Sequence, residues 1–374
     1  MSKNLDKLKK NRMFKQCNCK IKYKLDLIGA VAVEMPASSI KRLSTIPEIK
    51  FIADDSQVQT QMDIVRGTIS NEISEDMGLD GKGIGVAVLD TGIYPHEDLT
   101  AHGNRIVAFV DFVNKHKDPY DDNGHGTHVA GIIGGDGTSS KGKYCGVAPN
   151  VNIIGVKVMN KDGGGSTSDI VAGMQWVMDN KEKYNIKILS LSLGCDPDLR
   201  ETEDPLVRGA NALWKKGIVV VTAAGNSGPE KNTINSPGIS DKLITVGCSD
   251  SKGTADTKDD TVAEFSSRGP TVYNKNKPDI IAPGVKVTSL KSITSYVPSN
   301  KNKTRIKAAS YAIESGTSMS TPVVSGAIAL LLQKDPHLTP DAVKRKLLQS
   351  TNPLSQGNKY DQGKGLLNIK LLLS

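Results

Sequence analysis

An α/β fold, a doubly wound and mostly parallel sheet flanked by helices, is predicted by three features of the sequence. From about residue 84 onward, short and nearly all-apolar runs recur: IGVAVLD, NIIGVKVM, IKILSLSLG, IVVVTAAGN and LITVG. Runs without polar alternation belong to strands buried on both faces, as in parallel sheets covered by helices. Amphipathic segments with helix start signals lie between them, and the 36 glycines and 4% aromatic content suit tight strand-to-helix turns around an aliphatic core. At 374 residues the chain has room for one large domain with a small appendage, or for two medium domains.

Taken in chain order, residues 1–24 form a basic arm, with nine Lys or Arg against the single acid Asp6. Nine minus one is eight, which is the whole formal net charge of +8, so residues 25–374 are formally neutral. The excess is thus confined to one arm, which reads as solvated or as a contact for an anionic surface, and the distribution argues against a nucleic-acid-binding domain. Residues 25–58 then form a small α+β unit: the apolar stretch LDLIGAVAVEM, the amphipathic segment SSIKRLSTI and a strand KFIAD. It is too small to bury a core alone. DDSQVQTQMD follows as a linker, which sets the domain division at 1–60 and 61–374.

Within the large domain, the helix SDIVAGMQWVMDN sets Ile170, Met174, Val177 and Met178 on one face behind a Ser168 or Asp169 cap. DPLVRGANALWKKG opens with Asp204 and Pro205 and stops at Gly217. No run of 18 apolar residues exists, so no membrane span is expected. The short apolar run Leu27 to Val33 ends in Glu34 and lies late in the chain, unlike a secretion signal. Five scattered cysteines (Cys17, Cys19, Cys145, Cys195, Cys248) do not make a disulfide framework and suit a reducing compartment. Cys17 and Cys19 form a C-x-C pair, but no second Cys/His cluster completes a four-ligand metal site.

In open α/β sheets, ligands bind beyond the carboxyl ends of the strands. The first apolar strand ends in LDTG, placing Asp90 there as a metal ligand, a sheet-edge cap or an orienting acid. DDNGHGTHVAGIIGG carries two histidines: His125 sits between glycines where loop becomes helix and is the better candidate base, while His128 reads as a packed helix residue. A two-histidine metal site is the rival, without a third ligand nearby. ESGTSMSTPVVSGAIALLLQ sets small hydroxyl residues at a loop-to-helix junction, with Pro322 expected in the first turn. A serine there suits a nucleophile, because helix N-terminal N–H groups favour developing negative charge, though the same pattern serves an ordinary N-cap. Asn226 ends IVVVTAAGNSG, as an amide donor or as part of a turn.

The joint order Asp, His, Asn, Ser, each at one mouth of a single sheet, resembles the subtilisin family through VAVLDTGI, NGHGTHVAGI, GVAP, SLSLG, AAGNSGP, SSRGP, KPDIIAPG and GTSMSTP. The likeness covers residues 61–374, and the motif run resembles intracellular bacterial members of the family. It implies a serine endopeptidase with Ser318 as nucleophile, His125 as general base and acid, Asp90 as its orienting partner and Asn226 as an oxyanion donor beside the Ser318 N–H. It also implies that Gly163, Gly164 and Gly165 on one side, and Ser192, Leu193 and Gly194 on the other, clasp an extended protein or peptide substrate by its main chain, which gives broad specificity. Thr167 stands where several relatives have an aromatic wall, so the distal apolar pocket is expected to be open. Cys195, beside Gly194, lies near enough to the cleft for inhibition by thiol reagents.

By the same likeness, residues 1–60 are a shortened propeptide that inhibits the enzyme until self-cleavage between Ser56 and Arg66. No cofactor is needed for the chemistry. Asp98 matches a calcium ligand of secreted relatives, but the partner loop GGDGTSSKGKYCG differs in length and chemistry, leaving structural calcium an option rather than a requirement. The expected location is the cytoplasm, with export by another route left open.

Overall fold

A computed structural model describes residues 16–17, 19–25, 30–49, 52, 62–298 and 311–374. The chain divides into two units, residues 1–59 and 60–374. In the first, β1 (Lys20–Leu25) pairs antiparallel with β2 (Ala30–Glu34), with an irregularity between Ile21 and Tyr23. The stretch LDLIGAVAVEM is therefore not one element: β1 ends at Leu25 and β2 begins at Ala30. A short helix, Ile40–Leu43, matches the amphipathic segment, and Cys17, Leu43 and Ile46 make a miniature core against Val33, Met35 and Ile52. The strand expected at KFIAD and the linker after it fall almost wholly outside the described residues, as does most of the basic arm.

The second unit is built on a ten-stranded sheet. Its parallel body comprises β3 (Gly85–Asp90), β4 (Ile106–Asp111), β5 (Asn152–Lys157), β6 (Ile186–Leu191), β7 (Val219–Ala223), β8 (Ile244–Asp250) and β10 (Ile280–Pro283). Along the sheet these run β10-β8-β7-β6-β3-β5-β4. Antiparallel to β8 lies β9 (Thr261–Val262), and β13 (Thr351–Asn352) and β14 (Leu366–Leu367) close the edge beyond β10. A separate hairpin joins β11 (Val287–Leu290) to β12 (Tyr311–Glu314). The expected doubly wound α/β architecture is present.

Chain order reverses at β3, whose neighbours β5 and β6 both come later in sequence. This places the crevice of an open α/β sheet at the carboxyl ends of β3 and β6. All six residues of β3 are buried, which accounts for its lack of polar alternation. The edge strand β4 has the most mixed burial of the body strands, with exposed Val107, although its sequence IVAFVD is as apolar as that of β3.

Five helices matter to the site: α1 (His125–Gly134), α2 (Thr167–Asn180), α3 (Pro205–Lys215), α4 (Thr317–Lys334) and α5 (Pro340–Gln349). As expected, α3 is capped by Asp204, whose side chain accepts from the N–H groups of Leu206 and Val207, and Pro205 occupies the first turn. The cap of α2 is Ser166, accepting from the Asp169 N–H, rather than Ser168 or Asp169. Helix α4 is buried almost all round and packs its Val323, Val324, Ala327, Ile328 and Leu331 into the main core. At about 1.5–3 kcal/mol for each fully buried aliphatic side chain, this helix is held firmly at its amino end, where Ser318 lies.

Candidate active site

Asp90 is the last residue of β3 and is 1% exposed. Its Oδ1 accepts from the Thr91 N–H at 2.7 Å and from His125 Nδ1 at 2.8 Å. That second bond fixes which imidazole nitrogen faces the acid and leaves Nε2 pointing away from it. His125 opens α1, and its approach to Asp90 depends on its neighbour: a Cβ on Gly126 would lie 2.2 Å from the Gly92 carbonyl oxygen. Only a glycine lets α1 start this close to the end of β3. Burial works against the imidazolium of His125, but Asp90, with smaller contributions from Glu314 and Asp121, outweighs it and pushes the pKa up to about 9.

Asp121 organises the turn before α1, a role not picked out from the sequence. Its Oδ1 accepts from Thr91 Oγ1 and from the N–H groups of Asn123 and Gly124, while Oδ2 accepts from Thr127 N–H and Oγ1. One buried carboxylate thus ties the exit of β3 to the start of α1. The signal was present as the DD before NGHGTH, although acids in a loop are normally solvated. His128 is the packed residue expected: it is fully buried, with Nε2 3.1 Å from Val287 O and 3.2 Å from Ala312 O. Burial, and then repulsion from His125, push its pKa down to about 4, so it is the neutral tautomer with Nε2 protonated.

Ser318 is the second residue of α4. Pro322 lies in the second turn, not the first as expected, and has no N–H to give to the Ser318 carbonyl four residues earlier. The Ser192 hydroxyl fills that vacancy, donating to Ser318 O at 2.9 Å, and the Ser318 hydroxyl donates in return to Ser192 O at 3.1 Å. A proline inside the helix therefore ties α4 to the end of β6. The Ser318 hydroxyl is bonded to Ser192, and no hydrogen bond joins it to His125. Such bonds are often loose before substrate binds.

Asn226 follows β7, and its Oδ1 accepts from Thr317 N–H at 2.9 Å and Thr317 Oγ1 at 3.0 Å. With the oxygen held this way, Nδ2 remains free to donate on the other side. A Cβ placed on Gly316 would lie 3.3 Å from that Nδ2 and 3.7 Å from the Ser318 nitrogen, so the bare glycine keeps open a space within reach of both donors.

Gly163, Gly164 and Gly165 lie between β5 and α2, with Asn160 N–H donating to Gly164 O at 2.7 Å. Asn123 Nδ2 donates to Lys161 O at 3.0 Å, linking this loop to the turn that carries His125. Ser192, Leu193 and Gly194 continue from β6; Ser192 and Leu193 are buried and Gly194 is exposed. A groove of about 550 Å³ beside α2 is lined by Thr167, Ser168, Val171, Ala172, Gln175 and Pro205. Cys195 is exposed, but partial burial and then Asp204, Asp198 and Asp196 push its thiol pKa up, which works against the thiolate that thiol reagents require.

Asp98 is fully buried at the start of the short helix Glu97–Thr100. Its Oδ1 accepts from Ser139 N–H at 2.8 Å and its Oδ2 from the Tyr311 hydroxyl at 2.6 Å. Both oxygens face hydrogen-bond donors, so the residues present do not fit a calcium ion at Asp98. Among the described residues, no three His, Cys, Asp or Glu side chains come together as a metal site, which includes the surroundings of Cys17 and Cys19. No described helix is long and apolar enough to cross a membrane.

A helix-borne serine, a histidine bonded to a buried aspartate and an amide donor, all at the switch point of a parallel sheet, define the class as a serine peptidase of α/β architecture. Residues 81–366 match the Subtilase family, and the chain belongs to that family. It is 46% identical over 366 residues to the serine protease AprX of Bacillus subtilis (strain 168), covering 95% of this chain and 81% of the relative. It is 33% identical over 351 residues to an alkaline protease of Alkalihalobacillus alcalophilus, covering 93% and 80%. Among solved structures, a cold-adapted subtilisin-like serine proteinase superposes with a TM-score of 0.59 at 32% identity, covering 78% of this chain and 90% of that one. Sphericase superposes with a TM-score of 0.65 at 27% identity, covering 83% and 99%.

Proposed function

We propose that Ser318, His125 and Asp90 form a catalytic triad and that Asn226 and the Ser318 N–H form the oxyanion site of a broad-specificity endopeptidase. The observation that carries this reading is the 2.8 Å bond between His125 Nδ1 and buried Asp90, set beside the amino end of α4 where Ser318 lies. In the first step Ser318 Oγ attacks the peptide carbonyl carbon and its proton passes to His125 Nε2. The carbonyl π-electrons move to oxygen, which takes hydrogen bonds from Asn226 Nδ2 and Ser318 N–H. His125 then returns the proton to the leaving amine as the C–N bond breaks. Water, activated by the same imidazole, hydrolyses the acyl-enzyme. Asp90 stays ionised and stabilises the imidazolium formed in each half. Every proton and electron pair is accounted for by these groups, so no cofactor is required.

The backbone edges at 163–165 and 192–194 bind an extended substrate through its main chain, which supports broad specificity. The open groove beside Thr167 accepts a bulky apolar side chain on the acyl side of the scissile bond. Residues 1–60 act as an inhibitory prosegment removed by self-cleavage between Ser56 and Arg66. The five free thiols suit a reducing compartment, and we place the protein in the cytoplasm. Intact mass of the full chain tests the maturation reading: wild type shortens near residue 60 while Ser318→Ala stays whole. Equal shortening of both would assign the cut to another protease, and no shortening of either would remove self-processing.

A further inference from the structure

The loop between β8 and β9 holds a charge that nothing around it satisfies. Asp250 and Thr261 pair at its neck, and residues 250–260 carry four acids (Asp250, Asp256, Asp259, Asp260) against Lys252 and Lys258, a net of −2. Lys252 Nζ is bound to Asp250 Oδ2 at 2.7 Å, and Lys258 lies 3.7 Å from Asp256. Asp260 has no such partner. It is 2% exposed, and neither its Oδ1 nor its Oδ2 has a hydrogen bond. Burial, followed by the charges of Asp259, Asp250 and Asp256, pushes its pKa up to about 7, with Lys252 opposing.

A buried carboxylate with two unpaired oxygens costs several kcal/mol unless something neutralises it and occupies those oxygens. Protonation meets only the first need: the O–H then lacks an acceptor and the C=O lacks a donor. A divalent cation meets both, and is drawn further by the other three acids of the loop. We propose that the 250–260 loop is a calcium site anchored by Asp260. The chemistry favours calcium over other metals. The loop has no His or Cys to suit zinc, and calcium tolerates an irregular set of six to eight oxygen ligands that includes backbone carbonyls and water, whereas magnesium demands a near-regular octahedron. Since no three acidic side chains converge there among the described residues, the ligands beyond Asp260 come chiefly from loop carbonyls and water. This site is separate from Asp98, whose oxygens are already filled by Tyr311 and Ser139.

The test uses the full chain carrying Ser318→Ala, so that self-digestion does not confuse the readout. Chelator-stripped protein is titrated with calcium chloride by calorimetry, and its thermal unfolding is followed with and without calcium. One calcium per chain and a Tm rise of several degrees are expected. Both effects should vanish in Asp260→Asn and persist in Asp98→Asn. If Asp260→Asn does not fold, the double variant Asp256→Asn, Asp259→Asn takes its place, with a Kd weakened at least several-fold. The proposal is overturned by the absence of heat and Tm shift in the starting protein, by unchanged affinity in the loop variants, or by an equal response to magnesium.

Discussion

Replacing Asn226 by Ala removes two things at once, and the structure lets them be separated. In the proposed site the side-chain Nδ2 donates to the oxyanion, whereas Oδ1 anchors Thr317 through bonds of 2.9 and 3.0 Å. Loss of one preorganised oxyanion donor lowers kcat by about 100- to 1,000-fold, or about 3–4 kcal/mol, because the interaction strengthens only as charge develops on oxygen. Loss of the anchor leaves the Thr317 N–H unpaired near the site, costing about 1–3 kcal/mol of stability. Thr317→Val removes only the hydroxyl, which bonds Asn226 Oδ1 and accepts from the Gly225 N–H at 3.3 Å, so it keeps the donor but loosens its aim. Steady-state kinetics on a chromogenic peptide should show the full kcat loss in Asn226→Ala with KM within a few-fold of wild type, and about a tenfold loss in Thr317→Val. The assignment fails if Asn226→Ala keeps more than a tenth of kcat, or if its deficit lies in KM.

Gly316→Ala places a methyl carbon 3.3 Å from Asn226 Nδ2 and 3.7 Å from the Ser318 nitrogen, and should lower kcat at least 100-fold with an unchanged circular dichroism spectrum. Because His125 must be neutral to act as base, kcat/KM should rise with pH through about 9, and Glu314→Gln should move that limb to lower pH; a limb at 6.5 in wild type would contradict the Asp90 coupling. The raised pKa has the opposite sign for stability: the His125–Asp90 contribution is complete below 6.5 and fades as pH climbs through about 9, which thermal scans in the Ser318→Ala background can follow. His128 acts at the acid end. With its folded pKa near 4, the unfolded chain takes up a proton there first, so stability falls by about 3 kcal/mol as pH drops from 6.5 to 4, and His128→Gln should flatten that part of the profile in urea titrations.

The parallel body was readable because β3, β7 and most of β5, β6 and β8 are buried on both faces and therefore carry apolar side chains at successive positions. At the sheet edge, β4 carries the same kind of apolar run, IVAFV, although only its two end residues are buried, so an apolar run alone does not tell an edge strand from a central one. Helix ends were legible where the cap touches adjacent N–H groups, as at Asp204, and slipped where several hydroxyl residues competed, as at Ser166, Thr167 and Ser168. The order of site residues showed which loops to inspect but not what holds them. The Asp121 hub adds to its local turn bonds a link to Thr91, 30 positions away, and the Ser192–Ser318 exchange made necessary by Pro322 spans 126, contacts that no local pattern encodes. Likewise, the engagement of Asp98 by Tyr311 spans 213 positions, and only the assembled structure shows that this carboxylate is already satisfied.

The central claim is that Ser318 is a nucleophile activated by His125. A fluorophosphonate probe reacts with an activated serine and leaves a covalent mark, so labelling followed by peptide mass mapping tests it directly. Stoichiometric labelling of the peptide containing Ser318, lost in His125→Ala and strongly reduced in Asp90→Asn, is the predicted result. Labelling confined to another serine, or labelling of Ser318 that is unchanged in His125→Ala, would contradict the account.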